Sequence, residues 1–154
     1  MGLKFSVSYD WFAKIISAAI CVGLLWVAAV LHSVSVGIAV LLGLIAAYGY
    51  SPRRYTIVHR TIIVKRGIGE VRVPLENLRE ARRVTADDLQ GRVRLGASGG
   101  LFGYYGSFRT TRLGRYMSYV TDRKNMVVLI GASDTTVFSP DDVEGFLSAI
   151  RTEV

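Results

Sequence analysis

The chain has 154 residues, 51% of them hydrophobic, a formal net charge of +7 and one cysteine. That length supports about one ordinary domain, and a lone Cys21 excludes an intramolecular disulfide and a cysteine-based metal site. Seventeen basic against eleven acidic residues follow Tyr50; an excess of that size suits an anionic membrane surface, and nucleic acid is not expected as a partner.

The first third is read as membrane. Ile15 to Tyr50 contains no Asp, Glu, Lys or Arg, and its polar side chains are few: Ser17, His32, Ser33, Ser35 and two tyrosine hydroxyls. A single helix of about 36 residues would reach about 54 Å, against a hydrocarbon core of about 30 Å. The cluster His32, Ser33, Ser35 and Gly37 breaks the run into two transmembrane helices, about 11–31 and 34–50. "SPRRY" follows the second span and Lys4 and Lys14 flank the first, while the intervening loop has no basic residue. The positive-inside rule then places both termini in the cytoplasm, a multi-pass arrangement in the cell membrane. Trp11, Phe12, Tyr48 and Tyr50 fall at the cytoplasmic boundary. Ala39, Gly43 and Ala47 recur at four-residue spacing, which fits close packing against the first span or against another chain. "MGLKFS" matches a loose N-myristoylation pattern and Ala28-Ala29 could end a signal peptide, but two consecutive spans require neither.

From residue 51 the pattern turns to period two and β-branched residues. "RYTIVH" and "TIIVKRG" read as strands around a tight turn near Arg60; "GIG" turns again before "EVRVP". "LENL" is a turn, "REARRV" a short strand, "TADDLQG" a loop or helical turn, and "RVRLG" a further strand. After "GGLFGYYGSF" come "SFRTT", "YMSYVTD", "NMVVLIG" and "TTVFS", with "DRKN" and "GASD" as hairpin turns. Ser139 is the expected N-cap of a closing helix, with Pro140 in its first turn, Asp141 and Asp142 complementing its dipole, and Val143, Phe146, Leu147 and Ile150 as its apolar stripe. The expected architecture is an N-terminal two-helix transmembrane hairpin (1–50) and a mainly-β domain (51–154). That domain has about seven antiparallel strands in a partly open barrel with a C-terminal capping helix.

"GGLFGYYGSF", "LGRYMSYVTDRKNMVVLI" and "VFSPDDVEGFLSAI", in that order, resemble the bacterial pleckstrin-homology-like (PH-like) domain family, whose members commonly carry one or two membrane spans ahead of the domain. The resemblance covers most of the chain. It implies seven strands in two near-orthogonal sheets with a C-terminal helix, and no enzyme activity. Eukaryotic PH domains often bind phosphoinositides at an early strand–loop–strand; the matching "VKRGIGEVR" holds Lys65, Arg66 and Arg72, but its loop is short and carries no defined motif.

No catalytic residues, metal ligands or cofactor-binding residues are expected. The glycine run precedes β-like sequence and lacks the Gly-Lys-Ser/Thr ending of a phosphate loop. His32 and His59 fall on opposite sides of the membrane in this reading, Asp87–Asp88 read as loop solvation, and no nucleophile elbow is present. The candidate interaction surface is Phe102, Tyr104, Tyr105, Lys65, Arg66, Arg109 and Arg112, with Gly100, Gly103 and Gly106 as structural glycines. Three basic groups frame it: Arg53, Arg54, Arg60, Lys65 and Arg66; Arg79, Arg82 and Arg83; and Arg109, Arg112 and Arg115. The chain reads as a non-enzymatic, membrane-anchored interaction module with a protein partner, or alternatively as a domain that recognises anionic lipid headgroups or a small ligand.

Overall fold

The computed structural model describes residues 2–153. Its N-terminal helices start where side chains satisfy their free amides. Asp10, with extended backbone, accepts from Ala13 N at 2.6 Å and opens α1 (Trp11–Val30); Ser33 accepts from Val36 N and opens α2 (Val34–Tyr50). α1 has 20 residues and a mean hydropathy of 2.2 over its most apolar window, long and apolar enough to cross a membrane; α2 is apolar but shorter, at 17 residues. Only 17% of the α1 window is buried, so α1 is not the core helix of the domain that follows.

The domain is two sheets and a helix. The first sheet runs β1-β2-β3-β4, from Leu3–Ser6, Pro52–Val58, Thr61–Arg66 and Glu70–Pro74. The second comprises β5 (Leu78–Arg83), β6 (Val93–Ala97), β7 (Tyr104–Thr110), β8 (Gly114–Val120), β9 (Val127–Gly131) and β10 (Thr135–Phe138), ordered β5-β9-β10-β8-β7-β6. A 3₁₀ turn, Asp87–Leu89, joins β5 to β6, and α3 (Val143–Glu153) closes the chain. The described strands number ten in two separate sheets, where the sequence led us to expect about seven in a partly open barrel.

Three details depart from the sequence reading. β1 precedes the helices, yet pairs antiparallel with β2, Phe5 opposite Tyr55; residues within the expected membrane region thus complete the first sheet. "DRKN" is no hairpin turn, because β10 inserts between β8 and β9, pairing parallel with the former and antiparallel with the latter. Ser139 does not cap α3. Its hydroxyl accepts from Thr121 N and Asp122 N, and Asp142 caps instead, accepting from Gly145 N at 2.9 Å. The turn at His59–Arg60 is as expected; both residues have positive φ, as a two-residue hairpin matching strand twist requires.

The core has two parts. Tyr55, Ile57, Ile62, Val64, Phe138 and the α3 stripe Val143, Phe146, Leu147 and Ile150 form one, with Phe5 edge-on to Phe146. Tyr104, Phe108, Tyr116, Val120, Val128 and Val137 form the other, and Ala13 of α1 is buried among them. The base of α1 is therefore part of the domain core.

Candidate functional site

The junction between helices and domain is built from residues whose purpose is hidden in the sequence. Residues 7–10 run from β1 to α1 across three backbone and side-chain partners. Ser8 N donates to Asp141 Oδ1 (2.8 Å), Thr121 Oγ1 donates to Ser8 O (2.8 Å), and Asp10 N donates to Thr121 O (3.0 Å). Thr121 and Asp141 belong to the "YVTD" and "SPDD" runs. Ser139 fixes the first of these from behind, and Tyr55, fully buried, accepts from Ser139 N while donating to Tyr119 O. Burial pushes the Tyr55 hydroxyl far above its ordinary pKa, so it stays a donor.

The glycine–aromatic run grips the helices from the other side. Ser17 sits four residues after Ala13, on the same face of α1, and is buried. Its hydroxyl donates to Gly100 O (3.1 Å) and accepts from Phe102 N (2.8 Å). Ser51, just past α2, donates to Phe102 O (2.5 Å) and hydrogen-bonds Tyr9 OH (2.7 Å). Tyr105 OH donates to Ala47 O of α2 (2.7 Å), and Phe102 meets Tyr48 edge-on with ring centroids 5.2 Å apart. Phe102 takes this position at φ 53°, a conformation rare for a bulky residue, held by both its backbone groups and its ring. The "GIG" turn adds one more tie, Ile68 N to Gly49 O at 2.7 Å.

Two glycines here are required by geometry. Gly100 (φ +132°) faces Ile16, whose Cγ2 would lie 3.2 Å from an added Cβ, so the loop can lie flat on α1. Gly106 (φ +118°) would place a Cβ 2.5 Å from Gly96 O, inside the β6–β7 pairing. The close-approach reading of Ala39, Gly43 and Ala47 does not hold within the chain. Ala39 and Gly43 are exposed, and a Cβ on Gly43 would meet nothing within 4 Å.

The sequence-derived surface is not one surface. Tyr104 is in the core, Phe102 and Tyr105 are half-buried against the helices, and Lys65 and Arg66 lie at the end of β3 beside the α2 terminus. Arg66 lies over the Tyr50 ring (5.4 Å) and Arg53 over Tyr48 (4.6 Å). Arg109 and Arg112 are at the opposite end of β7, about 17 Å from Tyr104 at about 3.4 Å per residue. Arg112 faces Asp87 and Asp88, each at 3.7 Å. Asp88, read from sequence as loop solvation, has a fully buried side chain. Arg82 donates to it twice (2.5 and 3.0 Å) and Thr85 twice (2.8 and 2.9 Å). These bonds, the Arg82 guanidinium first, hold the Asp88 carboxyl far below the usual carboxylate range.

Sequence reasoning missed a fourth basic group. Arg92, Arg94 and Arg123 converge on a cleft of about 220 Å³ with Phe12, Gly99, Tyr104 and Phe108. Arg92 lies over Phe108 (4.1 Å) and Tyr104 (5.9 Å); Arg123 lies over Phe12 (4.3 Å) and Tyr104 (5.1 Å). The alternation in "GRVRLG" was the available signal. It puts Arg92 and Arg94 on one strand face, but only the fold brings Arg123 to them.

Two sheets with a C-terminal helix, set behind a pair of apolar helices, define a PH-like architecture. A family model described as "Bacterial PH domain" matches residues 53–154, about two thirds of the chain, and the chain belongs to that family. The match begins after the helices and so leaves out β1, which the fold nevertheless places in the first sheet. No curated protein and no solved structure matches the chain.

Proposed function

We propose that this chain is a membrane-anchored, non-enzymatic interaction module. In this reading α1 and α2 cross the cell membrane as a hairpin, both termini and the PH-like domain face the cytoplasm, and the domain is offered to a protein partner or steadies a membrane complex. The helix pair supports the anchoring: Val22, Trp26, Val34 and Leu42 are among many large apolar side chains left exposed, an apolar surface too large for water. Arg53 and Arg66, stacked on Tyr48 and Tyr50 at the end of α2, support the cytoplasmic side. The observation that carries the reading is the junction itself. Ser17, Ser51, Tyr105 and the 7–10 segment fasten the helices to the domain, so the domain is held at a fixed attitude to the membrane, and weak contacts with a co-resident partner gain effective concentration. The free face with the clearest docking chemistry is the edge strand β6, where Val93 and Leu95 are exposed.

The test is made on native membranes. The chain is expected to resist extraction by alkaline carbonate, and trypsin is expected to remove the domain from inside-out vesicles but not from right-side-out ones. A membrane protein that co-purifies in gentle detergent should be lost on Leu95→Lys. Carbonate extraction of the intact chain would overturn the anchoring, and unchanged co-purification of Leu95→Lys would overturn the use of β6. A second reading, recognition of an anionic ligand, is favoured by the three arginines that meet beside Phe12.

A further inference from the structure

Several arginines of the domain are paired with a carboxylate: Arg72 with Glu70, Arg82 with Asp88 and Glu80, Arg83 with Glu144, Arg112 with Asp87 and Asp88. The cleft beside α1 differs. Among the described residues neither Arg92 nor Arg94 has a carboxylate within 4.0 Å. The acid at its edge is Asp10, and both its oxygens are engaged: Oδ1 by Ala13 N, Oδ2 by the backbone and guanidinium of Arg123.

One donor in this cleft also lacks an acceptor among the described residues. Arg92 Nε is buried with no hydrogen-bond partner, while the buried Tyr104 hydroxyl lies close to the Asp10 carboxylate. A buried donor costs about 1–3 kcal/mol when left unpaired, and more when charged. Burial, with Arg123 and Arg94 close by, pulls the Arg92 guanidinium below its usual range, although it remains protonated. Holding the partly buried Arg92 charge beside two further guanidinium groups is unfavourable for the protein alone. An anion with several acceptor oxygens removes each of these costs at once.

The fold also fixes where the anion would sit. Phe12 is the second residue of α1, is 45% exposed, and forms one wall of the cleft. If α1 crosses the membrane, that wall stands at headgroup level. Gly99 is pressed against the Arg94 guanidinium, with an added Cβ only 2.3 Å from its Cζ, so the glycine run also makes room for this arginine. The cleft lies apart from the β3–β4 turn, the place where the family resemblance would look for a headgroup.

We infer that Arg92, Arg94 and Arg123 form a binding site for a phosphate group, that of an anionic lipid headgroup or of a free phosphorylated molecule. Arg92 and Arg94 supply forked donors to the phosphate oxygens, and Phe12 packs against the group that carries the phosphate. The headgroup source rests on the membrane reading above; the phosphate site does not.

The experiment uses the full chain in a neutral detergent, with native mass spectrometry and titration as readouts. Three probes are compared: phosphatidylglycerol, phosphatidylcholine and glycerol 3-phosphate. Phosphatidylglycerol is expected to be retained at least about tenfold better than phosphatidylcholine, and Arg92→Gln and Arg94→Gln are each expected to weaken it about tenfold. Arg151→Gln, an equal charge loss on α3, is expected to leave binding unchanged. Arg94 is exposed, so its variant tests the site even where Arg92→Gln impairs folding. Binding of glycerol 3-phosphate alone, with the same dependence on both arginines, keeps the site and assigns it to a free ligand. Wild-type binding by both Gln variants, or equal retention of the two lipids together with no arginine-dependent binding of glycerol 3-phosphate, overturns the site. A chain that carbonate extracts, yet which still binds glycerol 3-phosphate through Arg92, overturns the membrane reading and leaves the site standing.

Discussion

Two groups of arginines in this domain have opposite chemistry. Arg82 and Arg83 on β5 and Arg112 beside the Asp87–Leu89 turn meet acids, and the buried Asp88 gathers Arg82, Thr85 and Arg112 into one network. At the helix junction Arg53, Arg66, Arg92 and Arg123 lie on aromatic rings, and only Arg123 also has a carboxylate. Each arginine of the first group faces a carboxylate. The second keeps uncompensated positive charge where the apolar helices leave the domain. Net charge therefore says less about function than which arginines the acids of the chain have already neutralised.

The comparison can be broken most forcefully from the acidic side. Asp88→Asn leaves Arg82 and its neighbours without their buried anion and is expected to cost about 3–5 kcal/mol, read by chemical denaturation of the full chain in detergent micelles. The pH dependence has a definite sign. Because the folded-state pKa of Asp88 is depressed, its contribution is complete above the ordinary carboxylate value of about 4 and is lost as pH falls below it. Asp88→Asn should remove this part of the acid sensitivity, and an unchanged acid limb would refute the network's role.

At the junction, Gly106→Ala is the next largest effect. A side chain at φ +118° and 2.5 Å from Gly96 O must push the β6–β7 pair apart, at about 2–4 kcal/mol in the same assay. Ser17→Ala comes third: it strands Phe102 N and Gly100 O and is expected to cost about 1–3 kcal/mol. It should also raise protease sensitivity at residues 99–103 while leaving β8 protected. Arg83→Ala marks the floor. Its pair with Glu144 is exposed on both sides, so the loss should stay within about 0–1 kcal/mol.

Local pattern carried much of this architecture. The two apolar helices break where His32, Ser33 and Ser35 cluster. β2, β3, β4, β6 and the stripe of α3 follow period and turn residues. What stayed hidden is non-local. β1 is four residues long and its partner lies some fifty residues away, so nothing near "LKFS" marks it as a strand. The parallel β8–β10 pair defeats a hairpin reading of "DRKN", since the chain between β8 and β9 looks the same whichever strand is inserted. Ser139 has good cap chemistry, but Thr121 and Asp122 claim its hydroxyl.

The junction was half legible. "GGLFGYYGSF", "YVTD" and "SPDD" carry the family resemblance, and all three runs converge on the junction with the N-terminal helices. Ser17 read only as a stray polar residue in an apolar run. Its partners, Gly100 and Phe102, are more than eighty residues away. Arg92, Arg94 and Arg123 were overlooked for the same reason: their proximity is a property of the sheet, not of spacing.

The central claim is that helices and domain are fastened into one unit at this junction. It is tested most directly by amide hydrogen exchange on the full chain in lipid nanodiscs, read at Phe102, whose N–H donates to Ser17 on α1. The account predicts that this amide is protected to the level of β7 and β8 and loses that protection in Ser17→Ala. Rapid exchange at Phe102 in the wild-type chain, with β7 and β8 still protected, would show that the domain hangs loose from its helices and would contradict it.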